Sequence, residues 1–215
     1  MSQVINDWLN TIYNATNKYQ SICYGNISVS DLLNFKKSVA CINNLMAIEQ
    51  EMIFLDTLVS NGTITPNDRD TIIKNMDKPN ANGYDIYDSN VKIVAELKGT
   101  IPCNNNGTIF GSKQKEEIGK DIDGLIDQTL KKKSNKSQGS IAGFNRYIVF
   151  WDGTQDAFED LVIHPHSNQQ TCIQSFIRIT PNRGTVDFQG GQINVLFLNP
   201  NFQITQTHRD TDFKF

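Results

Sequence analysis

Residues 82–98 read NGYDIYDSNVKIVAELK, and the fold turns on how they are read. Two apolar-rich runs, 83–87 and 91–98, flank the polar triplet Asp88-Ser89-Asn90. That is the pattern of a β-hairpin with a short loop. Side chains along a strand alternate between its faces. Ile93, Ala95 and Leu97 share one face, which suits a core, and Val94, Glu96 and Lys98 share the other. Asp85, in the partner run, can sit beside Glu96 and Lys98. Two carboxylates then offer oxygens to a hard cation such as Mg²⁺, and one ammonium can hold or deprotonate a water. The plain alternative is an exposed cross-strand charge pattern.

Composition sets the outer limits. The chain has 215 residues, 38% apolar and 20% charged, enough for a packed core and against wholesale disorder. A net charge of −3 argues against a basic protein that coats nucleic acid, but not against a local basic surface beside a metal site. No apolar run approaches the ~20 residues of a membrane span. The start, MSQVINDWLN, lacks the pattern of a signal peptide. Cys23, Cys41, Cys103 and Cys172 form no C-x-x-C pair and read as reduced thiols. The expectation is a cytoplasmic protein without a membrane partner. His164 and His166 flank a proline and read as structural rather than as a zinc site.

Upstream of the hairpin the chain reads as helical. An amphipathic helix is expected over 2–22. Ser30 or Asp31 caps a long second helix to about residue 60, stopped by Asn61-Gly62. Its apolar face carries Ile42, Leu45, Met52, Ile53, Leu55 and Val59, with Glu49 and Asp56 on the same stripe. An acid there needs a partner. Thr65-Pro66-Asn67-Asp68 opens a third helix to about residue 76.

Downstream, GTIPCNNNGTIFGS is a loop by its glycines and asparagines. Ser112 caps a helix to about residue 130, with Ile118, Ile122, Leu125 and Ile126 inward. The run Lys131, Lys132, Lys133 follows, then a buried strand over 144–151 and a short helix over 155–162. Strands are expected over 173–180, 185–188, 193–198 and 202–205. No phosphate loop, dinucleotide fingerprint or nucleophile elbow occurs.

Asp85, Glu96 and Lys98 have the form D-x10-E-x-K. This resembles the signature of the PD-(D/E)xK nucleases, and the surroundings look most like a type II restriction endonuclease. The resemblance covers 82–152, about a third of the chain. It departs from the pattern at Tyr84, where the signature carries proline. A second match, Asp212-Phe213-Lys214, lies in a charged run with no strand pattern before it and is set aside. Gln114 is followed by Ile118 rather than tyrosine, so the Q-x-x-x-Y exonuclease branch is not supported.

The resemblance implies an α/β fold. Its restriction-endonuclease-like core would be a mixed central sheet flanked by helices, within one domain over 1–215. A helical section, 1–78, would precede the catalytic core, 79–165, and a β-rich section, 166–215, would follow as a DNA-reading part. It implies Mg²⁺-dependent, sequence-specific hydrolysis of double-stranded DNA, with Mn²⁺ able to substitute. Asp85, Glu96 and the Leu97 carbonyl would bind the metal, Lys98 would act on the water, and Glu49 would join as a helical glutamate. Asn104, Asn105, Asn106, Lys131, Lys132, Lys133, Arg178, Arg183, Gln189 and Gln192 would contact DNA, since amides and arginines read base edges and lysines hold phosphates. A homodimer and a cognate DNA methyltransferase are the implied partners of such a restriction-modification system. Another nuclease of the same superfamily, or a non-catalytic binding module on the same fold, is the alternative.

Overall fold

A computed structural model of the chain describes residues 10, 11, 14, 28–76, 83–102, 104–126, 140–166, 176–179, 185–188 and 191–198. The expectations at Lys131, Lys132, Lys133, Arg183, Gln189 and the strand over 202–205 lie outside these. The chain divides into two compact units, Met1–Ile53 with Gln203–Phe215, and Phe54–Phe202.

The first unit holds most of helix α1, Val29–Ser60. Its cap is Ser28, one turn earlier than Asp31. The Ser28 hydroxyl accepts from Asp31 N at 3.2 Å, and Asp31 Oδ2 accepts from Ser28 N at 3.1 Å. This reciprocal box satisfies two helix-end donors at once. Of the expected first helix, Asn10, Thr11 and Asn14 are described and helical. The single apolar stripe on α1 is corrected. Ile42 is exposed, whereas Met52, Ile53, Phe54 and Leu55 are all buried. Four consecutive buried residues cover more than half the helix circumference, so no single phase at 100° per residue describes this helix.

The second unit begins with the end of α1. Gly62 adopts φ 76°, Gly62 N donates to Val59 O at 3.0 Å, and Thr63 N donates to Leu58 O at 2.9 Å. That pair of bonds is the Schellman closure, and it needs a residue without a Cβ penalty. Helix α2, Pro66–Met76, starts and ends where the sequence places it. Thr65 and Asp68 cap it reciprocally at 2.9 and 3.2 Å.

The hairpin forms as β1, Ile86–Asp88, and β2, Ile93–Lys98. It is shorter than expected at its start, because 83–85 bend away and Asp88 belongs to the strand. Asp88 Oδ1 accepts from Asn90 N and Val91 N at 2.8 and 3.1 Å, which organises the turn. Helix α3, Ser112–Ile126, then crosses to β3, Asn145–Trp151, which lies parallel to β2. Parallel neighbours require such a crossover. Gly111 caps α3, not Ser112. Gln114 reaches back to Gly111 N at 2.8 Å. Helix α4, Gln155–Ile163, follows β3.

Strands β4, Phe176–Ile179, β5, Thr185–Phe188, and β6, Gly191–Leu198, complete one six-stranded mixed sheet in the order β1-β2-β3-β6-β5-β4. Strand β6 lies parallel to β3, with Ile148 paired to Val195. The C-terminal β region is therefore part of the central sheet rather than an appended section.

Helices flank this sheet. Val94, Ile148, Phe150, Ile193 and Val195 pack with Ile118, Ile122 and Leu125 of α3 and Ala157, Phe158 and Leu161 of α4. On the other face, Tyr147 meets Phe54 edge-on with centroids 5.2 Å apart. Strand β2 is thus covered on both sides, as strands with parallel neighbours are. This corrects the expectation that Val94, Glu96 and Lys98 face away from a core. Val94 is fully buried and Glu96 is 3% exposed. Among the described residues no helix is long and apolar enough to cross a membrane.

Candidate active site

The face of β2 that carries Glu96 and Lys98 lies under helix α3. The strand pairing ends at Ile86↔Ala95, so Asp85 stands one residue beyond the ladder. Asp85 lies just outside β1, and its Oδ2 accepts the Leu97 N–H at 2.7 Å. Oδ1 of Asp85 takes no hydrogen bond among the described residues. One carboxylate oxygen is thereby locked to the strand, which fixes the direction of the other.

Lys98 ends β2, and its Nζ lies 3.2 Å from Glu96 Oε2. It also forms an ion pair with Asp121 Oδ2 of α3. Its side chain is 14% exposed. Burial pulls the Lys98 ammonium down, but Glu96, Asp121 and Asp85 together hold it above the ordinary lysine value. Lys98 is accordingly a cation at neutral pH. Because its folded value exceeds its unfolded one, the ion pairs contribute fully below about pH 10 and fade as pH rises through the folded value. The stability difference between the wild type and Lys98→Met, from urea unfolding, is expected to be constant from pH 7 to about 10 and to shrink above it. A difference flat through pH 11 would refute the pairing.

Asp121 is the residue that the sequence reading missed. Its signal was present. Ile118, Asp121, Ile122 and Leu125 stand at i, i+3, i+4 and i+7, so Asp121 occupies a core-facing position of α3. Helix α3 is pinned at both ends. Gln114 Nε2 donates to Ile101 O at 2.9 Å near its start. Near its end, the Tyr84 hydroxyl donates to Gly124 O at 2.8 Å and Arg146 Nη1 donates to Leu125 O at 2.9 Å.

Glu49 belongs to the first unit and is exposed, and the buried polar side chain beside it is Gln50. The apolar residues around that turn do not form the single stripe that pointed Glu49 inward. Asp56 has its partner in Arg69, at 2.5 Å. Asn104 and Asn105 are exposed, and the backbone of 105–107 makes one tight helical turn. Asn105 Nδ2 donates to Thr108 Oγ1 at 3.1 Å. Arg178 pairs by backbone with Asp187, and Gln192 with that same Asp187 from the other side. Strand β5 thus lies between the strands that carry Arg178 and Gln192.

The donor set fits a small hard cation. Asp85 and Glu96 bring two carboxylates to the end of β2, where both act on the Lys98 ammonium. Among the described residues no group of three or more His, Cys, Asp or Glu forms a metal cage. Mg²⁺ characteristically takes one or two carboxylates and fills its other positions with water and phosphate oxygens, so two acids suffice for it. Comparison of the chain with models of known families, with characterised proteins and with solved structures gives no match.

Proposed function

We propose that the chain is a Mg²⁺-dependent endonuclease that hydrolyses phosphodiester bonds of double-stranded DNA, with a restriction-endonuclease-like core. The observation that carries this reading is the gathering of Asp85, Glu96 and Lys98 at the end of β2, with Asp85 bonded to Leu97 N and the Lys98 ammonium paired with Glu96 and Asp121. The order hairpin, helix, parallel strand is also the one expected of such a core. Asp85 and Glu96 would hold the cation, with the Leu97 carbonyl as a third ligand by resemblance. When bound, the metal supplies polarisation of the phosphoryl oxygen and a water of lowered pKa. Lys98, held as an ammonium, orients the attacking water and stabilises negative charge that develops on the phosphate. It serves as a charge rather than as a proton acceptor in the pairing seen here. Asn104 and Asn105, exposed in the loop that follows β2, would contact the duplex.

Double-stranded DNA of long mixed sequence, incubated with Mg²⁺ or Mn²⁺, is the test substrate. Discrete fragments are expected from the wild type, with 5′-phosphate ends, and none without a divalent cation. Asp85→Asn and Glu96→Gln are each expected to lower the rate by at least about 100-fold, since each removes a charged ligand. Intact DNA with the wild type at millimolar Mg²⁺ and Mn²⁺ would overturn the nuclease reading.

A further inference from the structure

We propose that Asp121 is a positioning residue that draws the Lys98 ammonium aside, so that Glu96 can exchange it for a divalent cation. This rests on the metal-site reading of Asp85 and Glu96, but not on DNA being the substrate. Glu96 is 3% exposed, and a carboxylate so buried needs a positive partner. One such partner is Lys98, 3.2 Å away. A cation arriving at Glu96 must therefore compete with an ammonium already there. The competition is eased if the ammonium has a second anion to rest on, and Asp121 is that anion.

The geometry makes this a fixed arrangement rather than a chance surface contact. Asp121 is 22% exposed and sits on a helix tied to the sheet by Tyr84 and Arg146. Lys98 is the last residue of β2, with a flexible four-carbon stem that can swing between two acids while the strand stays still. Asp121 thus acts through Lys98. A direct role, as a ligand or as a bare negative charge near the cation, predicts a different result and can be separated from it.

The separation is a double-mutant cycle read by Mn²⁺ titration calorimetry on the whole chain without DNA. Asp121→Asn is expected to weaken Mn²⁺ binding about tenfold, because Lys98 then leans more heavily on Glu96. Lys98→Met is expected to tighten it by a similar factor. Once Lys98 is gone, adding Asp121→Asn is expected to change affinity by less than about twofold. Asp121→Glu, which keeps the anion, is expected to recover part of the loss. Lys98→Gln replaces Lys98→Met if the latter does not fold. A loss from Asp121→Asn that persists without Lys98, or no loss in its presence, overturns the proposal. Absence of Mn²⁺ binding by the wild type overturns it together with the metal site. Mn²⁺ binding with the expected cycle but no DNA cleavage would leave Asp121 its role and end the nuclease reading alone.

Discussion

Lys98→Ala is expected to abolish Mg²⁺-dependent cleavage, by at least about 100-fold, while DNA affinity changes little. The first half follows from where charge develops. One well-placed charged donor at a reacting phosphate contributes roughly 10²–10³ in rate. The second half follows from counting. A single ammonium is one charge among the many that bind a duplex, so it changes affinity and salt slope only slightly. The measurement pairs a cleavage time course with DNA binding in Ca²⁺ at one fixed salt concentration. The variant also leaves Glu96 and Asp121 without the cation that lies between them. Thermal unfolding therefore accompanies the assay, and Lys98→Arg tests whether charge alone suffices. Arginine keeps the charge but brings a planar fork in place of a compact head, so it is expected to restore stability more than rate. Cleavage by Lys98→Ala at the wild-type rate would mean that the match to E-x-K is accidental.

The largest effect on stability is expected at Arg69. This guanidinium is 3% exposed on α2 and bonds Asp56 of α1 at 2.5 Å, with Asp70 at 3.3 Å. Arg69→Leu leaves the largely covered Asp56 carboxylate, 11% exposed, without its cation. Breaking such a pair from one side costs about 3–5 kcal/mol. Removing both charges is a different matter. Asp56 Oδ2 takes no hydrogen bond among the described residues, so the pair is imperfectly satisfied. Asp56→Leu with Arg69→Leu is therefore expected to recover most of the loss, within about 1 kcal/mol of the wild type. Urea unfolding of the two single variants and the double variant completes the cycle. Equal stability of Arg69→Leu and the wild type would show that the pair contributes nothing.

Much of the second unit was legible because its signals are local. The Thr65–Asp68 box and Asn61-Gly62 fix where one helix stops and the next begins, and both act within a few residues. The hairpin announced itself by alternation around Asp88-Ser89-Asn90. Strand order was not legible, since nothing near residues 191–198 says that this segment enters beside β3. The burial of Glu96 was hidden for the same reason. Alternation told which residues share its face, but not that α3 would cover that face. An acid on an apolar stripe needs a partner, and on α1 Asp56 has one in Arg69 while Glu49 is exposed. Applied to α3, the same rule leads straight to Asp121.

Tyr84 stands where the signature that this stretch resembles carries proline, and its buried hydroxyl reaches Gly124, forty residues along the chain. Proline could not make that bond. The hairpin and the helix that completes its charge set are thus fastened together at Tyr84. The segment 82–98 is therefore not a portable cassette. Grafted onto another sheet it would carry its two acids and its lysine, but neither the tether nor the third carboxylate that the tether keeps within reach.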